Sequence, residues 1–145
     1  MRFSAKERYA IRAMIDVAVS GAGKPMSAAA VAERQGLSLD YLEQIFSRLR
    51  RAGLLTSVRG ARGGFLLARA AKAISIWDII CAIGEPLSPA PCSSASGVET
   101  HCHRAATCRA RILWRKIADG MRGILEQTTL SDFLEAGEFT DGPSL

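Results

Sequence analysis

The chain has 145 residues and a formal net charge of +5. That length supports one domain with an appended element, large enough to bury a core without disulfide or metal staples. Apolar residues make up 48% and charged residues 23%, which excludes a disordered chain, and no apolar run approaches the ~18–20 residues of a membrane span. The polar start, Met1-Arg2-Phe3-Ser4-Ala5-Lys6, predicts no secretory leader and a cytoplasmic protein. In that compartment four cysteines read as metal-binding, redox-active or buried rather than as a disulfide framework.

The charge is uneven. Residues 1–69 carry 12 Lys/Arg against 5 Asp/Glu, a net +7, whereas residues 70–145 carry 7 against 9, a net −2. A basic half joined to a mildly acidic half fits a polyanion-binding module with a second function attached.

In chain order, Ser4-x-x-Glu7 is a capping box that opens a helix running to Ser20. Tyr9, Ala10, Ala13, Met14, Val17 and Ala18 fall on one face of it. Ile11 and Ile15 form a second strip, expected to meet another partner or subunit. Ser27 caps a short helix, Ala28 to Gln35, with Gly36 at its left-handed end. Ser38 caps a third helix, Leu39 to Ala52, whose Leu42, Ile45, Phe46 and Leu49 point inward. Two helices across a tight glycine turn make a helix-turn-helix. Two β-prone runs, 54–59 and 65–68, then flank the glycine-rich tip Gly60-Ala61-Arg62-Gly63-Gly64 and read as a hairpin. Ser75-x-x-Asp78 opens a fourth helix, with Cys81 expected to be a buried small hydrophobe between Ile80 and Ile83.

The pattern changes at Glu85. Residues 85–107 hold three of the five prolines and no apolar period, a loop long enough to be functional. A long helix, Arg109 to Gln127, follows, and its Ala110, Leu113, Ile117, Met121 and Ile124 step by 3, 4, 4 and 3, a seam of coiled-coil type. Thr129-x-x-Asp132 caps a last short helix, and residues 137–145 are expected to fray. The expected architecture is therefore mainly α with a small β-wing. Residues 1–84 form a winged helix-turn-helix DNA-binding domain and 85–108 a cysteine-bearing loop. Residues 109–136 form a dimerisation helix with a short C-terminal helix, and 137–145 a tail.

The third helix turns Asp40, Gln44, Ser47 and Arg51 away from its core face, with Tyr41 and Arg48 on one flank and Glu43 and Arg50 on the other. Gln pairs with adenine, Arg with guanine, and Asp or Glu accepts from the cytosine amino group. Ser38, Tyr41 and the helix N-terminus suit phosphate. A solvated helix face is the ordinary explanation of such a pattern. Here the hairpin tip adds Arg59 and Arg62 among glycines with no acid, the chemistry that enters a narrow minor groove. DNA binding through Ser38, Asp40, Tyr41, Glu43, Gln44, Arg48, Arg51, Arg59 and Arg62 is the stronger reading. No Ser/His/Asp set, phosphate loop or pocket-like carboxylate pair supports an enzyme or a small-molecule substrate.

Cys92-x9-Cys102-x5-Cys108 places three thiols on a loop and its exit, as iron–sulfur and zinc sites do. The spacing is not the C-x-x-C of a zinc knuckle. Free thiols without a use are the plainer explanation, strained because three oxidisable cysteines together are seldom idle. His101 and His103 flank Cys102 as candidate ligands.

Several stretches carry a resemblance. They are Arg8-Tyr9-Ala10 with Met14-Ile15-Asp16-Val17-Ala18, Glu33-Arg34-Gln35-Gly36-Leu37-Ser38, 41–50 (YLEQIFSRLR), 57–67 (SVRGARGGFLL) and Leu113-Trp114-Arg115. The chain resembles the IscR-type iron–sulfur cluster regulators among the Rrf-type winged-helix repressors. The resemblance implies a homodimer joined through Leu113, Ile117, Met121 and Ile124 of the long helix, bound to double-stranded DNA at a palindromic operator. It also implies an iron–sulfur cluster, 2Fe–2S before 4Fe–4S, on Cys92, Cys102 and Cys108, whose state sets DNA affinity or site choice. Two features depart from the pattern. The first cysteine interval is long, and the histidine the IscR branch carries three residues after its last cysteine is Arg111 here, which stays protonated and cannot ligate iron. The fourth ligand falls to His103, then His101, or to Glu7 from a partner's first helix. Thiol–disulfide switching without a cluster keeps the DNA function. A zinc-stabilised dimeric interaction module does not.

Overall fold

A computed structural model describes residues 2–84, 87–93, 102–104 and 106–135. The elements are α1 (Ala5–Gly21), α2 (Ala28–Gln35), α3 (Leu39–Arg51), β1 (Leu55–Val58), β2 (Gly64–Leu67), α4 (Ile76–Ile83), α5 (Ala110–Gln127) and α6 (Ser131–Glu135). Mainly helical structure with one two-stranded antiparallel sheet is the expected winged helix-turn-helix. The expected tail, 137–145, lies outside the described residues.

Local chemistry sets the helix starts. Ser4 Oγ accepts the Glu7 N–H at 3.1 Å, while Glu7 Oε2 accepts the Ser4 N–H at 2.7 Å. Ser75 and Asp78 repeat the box on α4 at 3.1 and 2.9 Å. Each box satisfies donors that a helix start leaves unpaired. Gly36 ends α2 at φ 66°, the left-handed conformation that costs glycine little.

The core is built from α1 (Ala10, Ala13, Met14, Val17), α3 (Leu42, Ile45, Phe46, Leu49) and α4 (Ile76, Ile79, Ile80, Ile83), closed below by Leu54, Leu55 and Ile74. Ile11 and Ile15, the second strip on α1, are half-buried against the same core. A half-buried ion pair ties α1 to α2: Arg34 Nε donates to Asp16 at 2.9 Å, and Ser20 Oγ donates to the same carboxylate at 2.8 Å.

The C-terminal segment returns to this core. Leu130 is fully buried, with Leu125 and Phe133 packed beside it. The Ile76 N–H reaches Thr128 O at 2.9 Å and the Leu130 N–H reaches Ile74 O at 3.0 Å. Residues after α5 therefore share one core with the winged helix.

Cys81 is not buried, which corrects the sequence expectation. Successive helical residues differ by about 100°, so flanking isoleucines do not place it on their face. Ile76, Ile79, Ile80 and Ile83 take the inner arc and Cys81 turns outward.

Candidate nucleic-acid interface and cysteine segment

α3 is held by its apolar face and by its N-terminal end. Ser38 Oγ accepts the Tyr41 N–H at 3.3 Å, and the Leu37 N–H closes the preceding turn on Ala32 O at 2.9 Å. With Leu42, Ile45, Phe46 and Leu49 buried, the opposite face lies open. Asp40, Glu43, Gln44, Ser47, Arg48 and Arg51 line a single shallow groove there. The structure therefore brings together five of the nine expected DNA-contacting residues in the groove, beside Ser47, with Ser38 and Tyr41 at the helix start. Arg48 has a second engagement that the sequence did not signal. Its Nη1 donates to Ile83 O at 2.7 Å, capping a carbonyl at the end of α4 that the helix itself leaves free. Arg51 Nε leans back on Ser47 O at 3.4 Å.

The wing is a two-stranded ribbon with Leu55 opposite Leu67 and Val58 opposite Gly64. Phe65 anchors its base. The residue exchanges backbone hydrogen bonds with Met26 at 2.8 and 2.9 Å, and its ring meets Phe46 of the core at 4.8 Å. That docking is why Gly64 has to be glycine: a Cβ there would strike the Met26 carbonyl, and its φ is 152°. Arg59 and Arg62 are both exposed at the tip. The tip is thus slim, cationic and fixed at its root, the shape a minor-groove probe needs.

The cysteines are less assembled. Cys92 is half-buried in a 3-10 turn at Pro91–Ser93, which packs against α5. Cys108 is half-buried just before α5; its N–H reaches Arg104 O at 2.8 Å and its carbonyl takes the Arg111 N–H at 3.3 Å. Cys102 and His103 are exposed, and His101 lies outside the described residues. Three thiolates are the right donors for an iron–sulfur cluster. Among the described residues, however, no three His, Cys, Asp or Glu side chains come together as a metal site. Glu7 is only 4% exposed and its carboxylate serves the α1 capping box, so its oxygen has a structural partner already. Arg111 stands where the fourth ligand is expected and has a partner of its own.

Cys81 faces α5. Partial burial, then the nearby Asp78 carboxylate, raise its thiol pKa above the ordinary value; Arg122 opposes this and Glu126 adds to it. The guanidinium of Arg122 lies 5.3 Å from the Trp77 ring centroid, joining α5 to α4. On the far side, α5 leaves Ile112, Leu113 and Ile124 at 64%, 52% and 67% exposure, with Ile117 and Met121 half-buried between them. Leu113 and Ile124 belong to the predicted seam. Ile112 lies off it and went unnoticed in the sequence.

Comparison with known proteins agrees with this geometry. Residues 3–136 match the family described as Rrf2, Iron-dependent Transcriptional regulator. The HTH-type transcriptional regulator IscR of Escherichia coli K12 is 40% identical over 141 residues, covering 97% of this chain and 85% of that protein. Among solved structures, CymR (YrzC), the global cysteine regulator of B. subtilis, is 36% identical with a TM-score of 0.77, covering 95% of this chain and 99% of that one. T. potens IscR is 33% identical with a TM-score of 0.77, covering 99% and 93%. No described helix is long and apolar enough to cross a membrane.

Proposed function

The chain belongs to the Rrf2 family of transcriptional regulators, and on that premise we propose that it is a homodimeric, cytoplasmic DNA-binding regulator whose operator affinity is set by an iron–sulfur cluster on Cys92, Cys102 and Cys108. One observation carries the DNA part: the open groove of α3 lies on the same molecule as a rigidly rooted wing tipped by Arg59 and Arg62. The groove offers Gln44 and Arg51 as base-edge partners, and Asp40 and Glu43 as acceptors for the cytosine amino group. Ser38 and the α3 N-terminus hold the backbone. The +7 charge of residues 1–69 supplies the long-range attraction. A two-fold dimer through α5 presents two such units, so the operator is an imperfect palindrome with half-sites about one helical turn apart, or a multiple of it.

Support for the sensing part is the donor chemistry of the three thiols together with the likeness to IscR. When bound, a 2Fe–2S or 4Fe–4S cluster supplies a group that oxygen, nitric oxide or iron shortage removes or alters. The fourth ligand is assigned to His103, exposed and beside Cys102. His101 is the next choice, and Glu7 is disfavoured by its capping role.

A second reading keeps the DNA function and replaces the cluster by disulfide exchange among the same cysteines. It is favoured by the thiols being free and ungathered among the described residues, and by the likeness to a protein described as a cysteine regulator. Anaerobic purification separates the readings. A brown protein with stoichiometric iron and sulfide supports the cluster. A colourless protein whose DNA affinity follows the thiol redox state supports exchange. Bound zinc with no DNA shift supports an interaction module instead.

A further inference from the structure

We propose that Arg12, docked on the ring of Tyr9, is a phosphate clamp that extends the DNA interface onto α1. This rests on the DNA-binding reading above and deepens it.

The starting point is the charge that α1 shows to water. The helix carries two acids, and both are consumed inside the fold. Glu7 is 4% exposed and caps its own helix; Asp16 is 9% exposed and is held by Arg34 and Ser20. The cations remain outside. Arg8 and Arg12 are both exposed, one turn apart, with Lys6 half-buried before them. Like charges at this i,i+4 spacing destabilise a helix, and no ion pair among the described residues engages either arginine. An arrangement that internalises the acids and leaves the cations bare makes this face of α1 cationic and open to an external anion.

Geometry says where that anion lies. The Arg12 guanidinium is 6.0 Å from the Tyr9 ring centroid. Tyr9 in turn meets Tyr41 edge-on, with centroids 6.0 Å apart and planes at 88°. Tyr41 belongs to the first turn of α3, and its N–H is held by Ser38 Oγ. Guanidinium, ring, ring and recognition-helix N-terminus therefore form one continuous chain of contacts. When α3 enters the major groove by its N-terminal residues, the adjoining backbone runs past this end of the helix. Arg12 sits outside the groove on another helix, so it meets sugar–phosphate and not base edges. Contact with the Tyr9 ring restrains the Arg12 side chain, which limits the freedom lost on meeting phosphate.

The test is a salt titration of DNA affinity by fluorescence anisotropy, using the full chain and two duplexes. One is a mixed-sequence duplex; the other is recovered by in vitro selection with the unmutated protein. Arg12→Ala is expected to weaken both complexes by the same factor and to lower the log–log salt slope by about 0.9 per lost contact. Arg12→Lys is expected to restore the slope, since a point charge suffices for phosphate. Tyr9→Leu, which keeps the charge and removes its platform, is expected to fall between. An unchanged slope for Arg12→Ala overturns the proposal, and so does a loss confined to the selected duplex or a failure of lysine to restore the slope. Arg59→Ala measured alongside separates the two levels. If Arg59→Ala lowers the slope and Arg12→Ala does not, the clamp falls and the DNA reading stands. If the unmutated protein binds neither duplex, both fall.

Discussion

Replacing Ile117 by glutamate on α5 tests the proposed dimer most directly. α5 has 18 residues, about 27 Å of helix at 1.5 Å per residue. In the single chain Leu113 and Ile124 stay more than half exposed, and Ile117 lies between them half-buried. Burying an aliphatic side chain of this size is worth about 1.5–3 kcal/mol. Leu113, Ile117 and Ile124 are already partly covered in the single chain, so from each of two protomers they supply about half the full-burial sum, about 5–9 kcal/mol gross, against an association cost of about 4–15 kcal/mol. The margin is small enough for one residue to reverse it. Ile117→Glu removes two of the six apolar groups and sets two carboxylates at the centre of the seam. Leaving a buried charge without a partner costs about 3–5 kcal/mol. Even one such term weakens association at least a hundredfold, at about 1.4 kcal/mol per decade. Sedimentation velocity at micromolar protein is expected to show monomer where the unmutated chain is dimeric, and operator affinity is expected to collapse with it. A dimer of Ile117→Glu at the same concentration, active on DNA, refutes both the seam and the arithmetic.

Three further outcomes are expected. Gln44→Ala should flatten preference among operator variants in a binding-selection assay, whereas Arg59→Ala should weaken all sequences alike and reduce the salt slope by about 0.9 per contact. Leu130→Ala should lower stability by about 2–5 kcal/mol, read as a shift in urea midpoint at fixed protein concentration; a loss below about 1 kcal/mol would separate the C-terminal segment from the core. Because the Cys81 thiol is held above its ordinary pKa, a variant retaining only that cysteine should be alkylated slowly at neutral pH. Its rate should still be climbing at pH values where an unperturbed thiol has levelled off, since the thiolate is the reactive form.

The parts of the fold that were legible in the sequence are those fixed by neighbours along the chain. Both capping boxes, Ser4 with Glu7 and Ser75 with Asp78, close within three residues. The left-handed end at Gly36 and the antiparallel wing around Gly60–Gly64 are equally local. What escaped depends on partners far off in sequence. The Arg48 bond to Ile83 O spans 35 residues, and an arginine on a recognition helix looks the same whether it faces a phosphate or a neighbouring helix end. Leu130 stands just before a five-residue helix too short for periodicity to work on, yet it is fully buried, with its backbone tied to Ile74. Cys81 was misplaced by adjacency: the residues that share its face are not the isoleucines written beside it.

The DNA surface and the cysteine segment differ in legibility for one physical reason. The recognition face is a by-product of folding. Once Leu42, Ile45, Phe46 and Leu49 bury themselves, helical geometry alone turns Asp40, Gln44 and Arg51 outward, and the sequence already contains the answer. A thiolate site has no such internal force behind it. Cys92 is positioned by packing of its turn on α5 and Cys108 by the start of α5, while Cys102 is exposed on the segment between. In the proposed site, the cluster's own bond energy would be what gathers them. Spacing therefore tells which residues have the chemistry and not where they meet. Arg111 at the expected fourth-ligand position bears on the same point: in the proposed site the fourth ligand would pass to an exposed donor such as His103, which would leave the cluster open to removal. A regulator that registers cluster supply works in that regime, where the equilibrium between loaded and empty forms lies within reach of the cell's iron and sulfide.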